Sequence, residues 1–114
     1  MRLRTTLAAT LGAAVLVLTL PTSASAAGGE FRYQFYDRAG HVQTGRLVDP
    51  PSRECLTLPE VADENVPPAD SPRNDTDATA TVFTGDDCTG DWFSLRPLGG
   101  RASDRLKLRS VVFS

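Results

Sequence analysis

The chain has 114 residues, 40% of them hydrophobic and 7% aromatic, with 12 basic and 14 acidic groups giving a formal net charge of −2. That length accommodates one domain with one modest core. The acidic balance excludes nucleic acid as a partner, because binding it needs a positive surface.

The first 26 residues read as a secretory signal peptide. Arg2 and Arg4 form a basic start, Thr5 to Leu20 carries no charge, Pro21 breaks the segment, and Ala24-Ser25-Ala26 supplies a small-residue cleavage pattern. The uncharged stretch of 16 residues falls short of the roughly 20 that a spanning helix needs. The expectation is a secreted, extracellular bacterial protein, with no membrane association after cleavage. Residues 27–114 then form a single domain of 88 residues with 10 basic and 14 acidic groups, net −4.

Phe31-Arg32-Tyr33-Gln34-Phe35-Tyr36 alternates aromatic with polar residues, the pattern of a half-buried strand. Asp37-Arg38-Ala39-Gly40 is a turn, and His41 to Leu47 returns as the hairpin partner. Asp49-Pro50-Pro51-Ser52 stops that strand, since proline cannot donate to a ladder. Cys55 to Leu58 is a short third strand. Residues 59–77 read as a long acidic, proline-rich loop, with Pro59, Pro67, Pro68 and Pro72 and only Val61 and Val66 as sizeable apolar residues. Strand pattern resumes at Ala78 to Phe83, turns at Gly85-Asp86-Asp87, and continues in Trp92 to Leu95. Pro97 to Ser103 is a glycine-containing loop. Arg105-Leu106-Lys107-Leu108-Arg109 alternates with its basic residues outward, and a parity slip predicts a bulge near Arg109-Ser110. No segment carries a helical period, so the domain is expected to be all-β.

Cys55 and Cys88, in an oxidising compartment, are expected to pair and close a loop of 34 residues. A pair of free thiols or half a metal site is the alternative, disfavoured by the lack of a C-x-x-C spacing and by a single histidine. Charge is segregated. Residues 60–91 hold nine acids against Arg73 alone, whereas residues 92–114 hold five basic groups against Asp104.

Phe83-x4-Cys88-x-Gly90, followed by Ser110, resembles the Greek-key signature of βγ-crystallins, with Cys88 where the family places a second aromatic residue. The resemblance implies a double Greek-key β sandwich, here stapled by a disulfide, in which glycine allows the fold of a hairpin and the serine hydroxyl ties it down. The first half fits less closely: Tyr36 and Gly45 are nine apart instead of seven, and Thr79 stands where that half's serine belongs. Some bacterial members of the family bind Ca²⁺. Asn74, Asp75, Asp77 and Asp86 are the corresponding weak candidates here, although Ala78 removes one ligand and the second half lacks oxygen ligands before Ser110. No other cofactor is implied.

The resemblance extends to small secreted bacterial proteins of this fold, some of which inhibit extracellular peptidases. An inhibitor needs a rigid exposed loop, and Pro50, Pro51, Ser52, Arg53 and Glu54, leading into Cys55, are the candidate binding residues. The expected function is therefore a monomeric, non-enzymatic domain that binds an extracellular peptidase or another protein. One alternative is a Ca²⁺-modulated structural or stress-related envelope protein, and another is a small antimicrobial or toxin protein. An enzyme is not expected. His41 is the only histidine, both cysteines are expected to be taken up in the bridge, and no serine sits in a nucleophile-elbow context.

Overall fold

Two antiparallel sheets face each other, the first taking two strands from the second half of the chain and the second taking one from the first half. The computed structural model describes residues 26–114, so the signal-peptide expectation for residues 1–26 lies, apart from Ala26, outside the described residues. The first half supplies β1 (Gly29–Tyr36), β2 (Val42–Val48), β3 (Leu56–Thr57) and β4 (Ala69–Thr76). The second supplies β5 (Ala80–Phe83), β6 (Trp92–Leu95), β7 (Gly100–Arg101), β8 (Lys107–Leu108) and β9 (Ser110–Phe113). The first sheet runs β2-β1-β4-β7, with β8 also pairing β4, and the second runs β3-β9-β5-β6. Thus β3 leaves its own half to pair with β9, and β7 and β8 leave theirs to pair with β4.

The β1–β2 hairpin forms as its alternation dictates. Phe31 and Tyr33 are buried, Phe35 packs partly against the core, and Arg32, Gln34 and Tyr36 face outward. Register continues unbroken from Glu30↔Val48 to Tyr36↔Val42. Gly45 lies opposite Tyr33, where a Cβ would collide with the tyrosine ring, so the glycine makes room for the aromatic face. The core joins both halves in one cluster that includes Phe31, Tyr33, Leu58, Val61, Val82, Leu95, Leu108, Val111 and Phe113. Phe31 meets Phe113 edge-on, with centroids 5.4 Å apart and planes at 82°, a favoured aromatic geometry.

Three expectations change. The stretch 59–77 is not one loop. Pro59–Val61 forms a single 3-10 turn, and Ala69–Thr76 is β4, central in the first sheet between β1 and β7. Its proline is tolerated because the register shifts between Arg32↔Arg73 and Gln34↔Asp70, leaving an extra residue on β4 where Ser71 takes φ 52°. A bulge of this kind is one of the few places a sheet accepts proline. Residues 97–103 contain β7, a two-residue strand hydrogen-bonded to β4. The predicted bulge at Arg109-Ser110 is a change of sheet instead: β8 pairs with β4, and β9 pairs with β5 and β3.

Cys55 and Cys88 form the expected disulfide, with Cα atoms 6.0 Å apart. The bridge joins the start of β3 to the turn before β6 and so fixes the crossing strand to the second half. Reduction, or Cys55→Ala, is expected to lower stability by about 3–4 kcal/mol, read from denaturant unfolding with and without reductant. Two free thiols in the purified oxidised protein would contradict the pairing.

Candidate functional site

The connection from β2 to β3 is anchored at both ends and exposed between them. Asp49, at φ 47°, accepts a hydrogen bond from Gly29 N at its Oδ1 (2.8 Å) and donates its own amide to Gly29 O (2.8 Å). Ala27 N donates to Pro50 O at 2.8 Å, and Ala26 bridges Pro51. At the far end, Arg53 takes φ 60° and donates its amide to Phe113 O at 2.7 Å, two residues before the disulfide at Cys55. Pro50 is buried, Ser52 is half-buried, and Pro51, Arg53 and Glu54 are exposed. The prolines restrict the unfolded ensemble, and the anchors hold the folded loop. The result is a short, partly exposed loop whose backbone is held by hydrogen bonds at both ends.

Phe83, Gly90 and Ser110 converge as a structural unit. Phe83 pairs with Ser110 across β5 and β9. Gly90 has φ 85°, and a side chain there would collide with Thr84 Oγ1. Ser110 is fully buried. Its Oγ accepts from Cys88 N at 2.8 Å and donates to Gly85 O at 2.6 Å, so one hydroxyl satisfies two backbone groups of the folded turn. The first half has no such serine: Thr79 lies beyond β4 and exchanges backbone hydrogen bonds with Ser114.

The four weak metal candidates do not assemble. Asn74 is buried with both ends of its amide committed. Its Oδ1 accepts from Thr76 N and Oγ1, and its Nδ2 donates to the carbonyls of Ala78, Leu95 and Arg96. It is a knot between β4 and the end of β6. Asp75 is held by Arg32 Nη2 at 2.8 Å and Arg73 Nε at 3.0 Å, Asp77 accepts from Gly28 N, and Asp86 sits in the turn beside the disulfide. Partial desolvation raises the affinity of Asp75 for its proton, but the two guanidinium groups outweigh it and hold the carboxyl below the usual range. Among the described residues, no three His, Cys, Asp or Glu side chains group closely enough to hold a metal.

Two features escaped the sequence. Arg109 does not point outward. Its Nη1 donates to the carbonyls of Val61 and Asp63, both at 3.0 Å, and its Nη2 donates to those of Val66 at 2.8 Å and Glu64 at 3.5 Å. One guanidinium therefore organises the segment between β3 and β4. That segment and the β1–β2 turn enclose an open cleft of about 590 Å³, with Phe35, Val66 and Pro67 as apolar lining and Asp37, Glu60 and Asp63 as carboxylates. Beneath it the buried Tyr33 donates from its hydroxyl to Glu60 Oε1 at 2.6 Å. Burial first, then the hydrogen bond and the negative charge of Glu60, push the Tyr33 hydroxyl well above the ordinary tyrosine range.

Two tests follow from this geometry. Arg109→Leu is expected to cost about 2–4 kcal/mol and to raise hydrogen exchange across residues 61–66. Exchange in that segment equal to the parent's would contradict the clamp. Because the folded-state pKa of Tyr33 is raised, its stabilisation is complete below about pH 10 and is lost as pH rises through the folded value. Alkaline destabilisation should therefore shrink in Tyr33→Phe, measured as melting temperature against pH. Comparison with protein-family models, with curated proteins and with solved structures finds no match to this chain.

Proposed function

We propose that this chain is a secreted, non-enzymatic binding protein of βγ-crystallin-like double Greek-key architecture, and that the loop Asp49–Glu54 docks an extracellular peptidase. The architectural reading is supported by the strand order, in which the third strand of each half crosses to the other sheet. It is supported too by the Ser110 hydroxyl bridging Cys88 N and Gly85 O under a positive-φ Gly90. The first half departs from this pattern, because its hairpin runs in register to Tyr36↔Val42 without folding over.

The observation that carries the functional reading is the anchoring of the loop. Ala27, Gly29 and Phe113 fix its backbone, and the Cys55–Cys88 bridge closes it, while Pro51, Arg53 and Glu54 stay exposed. A loop held this way loses little conformational entropy when a partner seats on it, so more of the contact energy appears as affinity. Arginine is among the residues that most often dominate such interfaces. The positive φ at Arg53 turns the backbone away from an extended path. The loop therefore offers side chains to the rim of a partner's cleft, and is not laid through that cleft as a substrate-like strand.

The test is titration of the purified protein against a panel of extracellular metallo- and serine peptidases. Inhibition of at least one, weakened about tenfold or more by Arg53→Ala, is expected. No inhibition at micromolar concentration, or full potency in the Arg53 variant, would refute the assignment.

A further inference from the structure

The outer face of the first sheet carries arginine at one level of four successive strands. The registers set Arg46 opposite Arg32, Arg32 opposite Arg73, and Arg73 opposite Arg101. The row thus crosses β2, β1, β4 and β7 in order, and at about 4.8 Å per strand it spans about 14 Å. Like charges placed directly opposite one another destabilise a sheet, so this alignment is not explained by folding. Two carboxylates one level away offset half of the charge. Asp75 takes Arg32 at 2.8 Å and Arg73 at 3.0 Å, and Glu30 lies 3.4 Å from Arg32 Nε and 3.8 Å from Arg46. Arg101 has no carboxylate within ion-pair distance among the described residues, leaving the row with a surplus of two positive charges in a chain that is acidic as a whole.

Between Arg32 and Arg73 the face dips into an open cleft of about 250 Å³, whose other lining residues include Gln34, Thr44 and Ser71. Thr44 and Gln34 bring a hydroxyl and an amide donor to the same place as two guanidinium groups, while the Ser71 hydroxyl is spent on Asp70. The Asp75 contacts use Arg32 Nη2 and Arg73 Nε, and both Nη atoms of Arg73 and Nη1 of Arg32 donate no hydrogen bond among the described residues. Arg32 Nε is shielded from solvent and faces Glu30 at 3.4 Å, so it is not among the donors open to a ligand. The remaining Nη donors belong to two residues that line a polar hollow, and planar guanidinium forks suit tetrahedral oxyanions bound in bidentate fashion.

We propose that this arginine row is a docking site for a linear phosphate polymer, with one phosphate seated in the Arg32–Arg73 cleft and its neighbours reaching Arg46 and Arg101. A row of about 14 Å exceeds what a single phosphate touches, which points to a chain of charges. The next level along the sheet holds Thr44, Gln34 and the buried Asp70, which is paired with Lys107, and the level on the other side holds Val48, Glu30 and Asp75. No exposed aromatic ring stands at any of these three levels to stack a base, and the exposed Val48 is too small an apolar surface to enter a membrane. The exposed Tyr36 and Val42 sit two levels away at the hairpin end. The site shares no residue with the loop Asp49–Glu54 and does not rest on the peptidase reading.

The experiment is calorimetric titration of the purified protein with short-chain inorganic polyphosphate, with orthophosphate and single-stranded DNA as parallel titrants. Saturable polyphosphate binding is expected at low salt, weakening about tenfold or more at physiological salt as counterion release predicts. Arg46→Gln with Arg101→Gln should reduce affinity at least about tenfold while leaving the Asp75 ion pairs, and hence the melting temperature, close to the parent's. Arg105→Gln, a basic residue off the row, and Arg53→Ala should bind as the parent does. The proposal is overturned by any of four results: no saturable binding, equal losses in the row and Arg105 variants, orthophosphate binding as tightly as the polymer, or tighter binding of the DNA.

Discussion

Leu108 is hydrogen-bonded in one sheet and Ser110 in the other, and the single residue between them has to carry the chain across. That crossing organises much of the molecule. Arg109 N donates to Phe83 O and Arg109 O accepts from Leu58 N, so its peptide groups already belong to the second sheet. Its guanidinium reaches the other way, onto the carbonyls of residues 61–66. The bonds to Val61 and Val66 are partly buried, where a carbonyl without a donor is costly, and a segment too short for a ladder of its own has few other sources. One residue upstream, Leu108 fills the shared core; one downstream, Ser110 closes the turn that holds Cys88. Three consecutive residues thus serve a sheet, a loop and a folded turn.

The same logic explains why a domain this small can persist. A chain of this size buries little apolar surface, and three polar residues of β4 are buried: Asn74 and Thr76 on its inner face and Asp70 on its outer face, opposite Gln34 and Lys107. Those groups are tolerated because each is answered. Asp70 accepts from Ser71 Oγ and lies 3.5 Å from Lys107 Nζ, while Asn74 and Thr76 satisfy one another and the carbonyls of Ala78, Leu95 and Arg96. Strand exchange makes these bonds span both halves. The anchored loop at 49–54 depends on it too, since Phe113, which receives the Arg53 amide, is the last residue of β9. The ordered surface that would meet a partner is therefore a consequence of how the two halves interlock.

Legibility in the sequence followed the chemistry of each strand. β1 was readable because Phe31, Tyr33 and Phe35 alternate with polar residues, and the disulfide because only two cysteines exist. The turn at Gly90 and its Ser110 tie were readable only as what the resemblance of Phe83-x4-Cys88-x-Gly90 to a Greek-key signature implies. β4 was not, since its inward residues are polar and Pro72 sits at a bulge that no local pattern announces. Arg109 was misread for a related reason: alternation with Leu106 and Leu108 puts it outward only if the strand stays in one sheet. The arginine row was invisible because its members are far apart in sequence and become neighbours only through register. Asn74 fell in a ligand-like run but spends its amide on backbone, a role that residue type alone does not distinguish.

If strand exchange is the governing constraint, the two halves cannot unfold separately. The most direct measurement is a denaturant titration followed residue by residue through backbone amide signals in the native and unfolded states. Amides of β1 and β2, in the first half, and of β5 and β6, in the second, should disappear with one midpoint and one slope. Two separated transitions, with one hairpin surviving the loss of the other, would contradict the interlocked account.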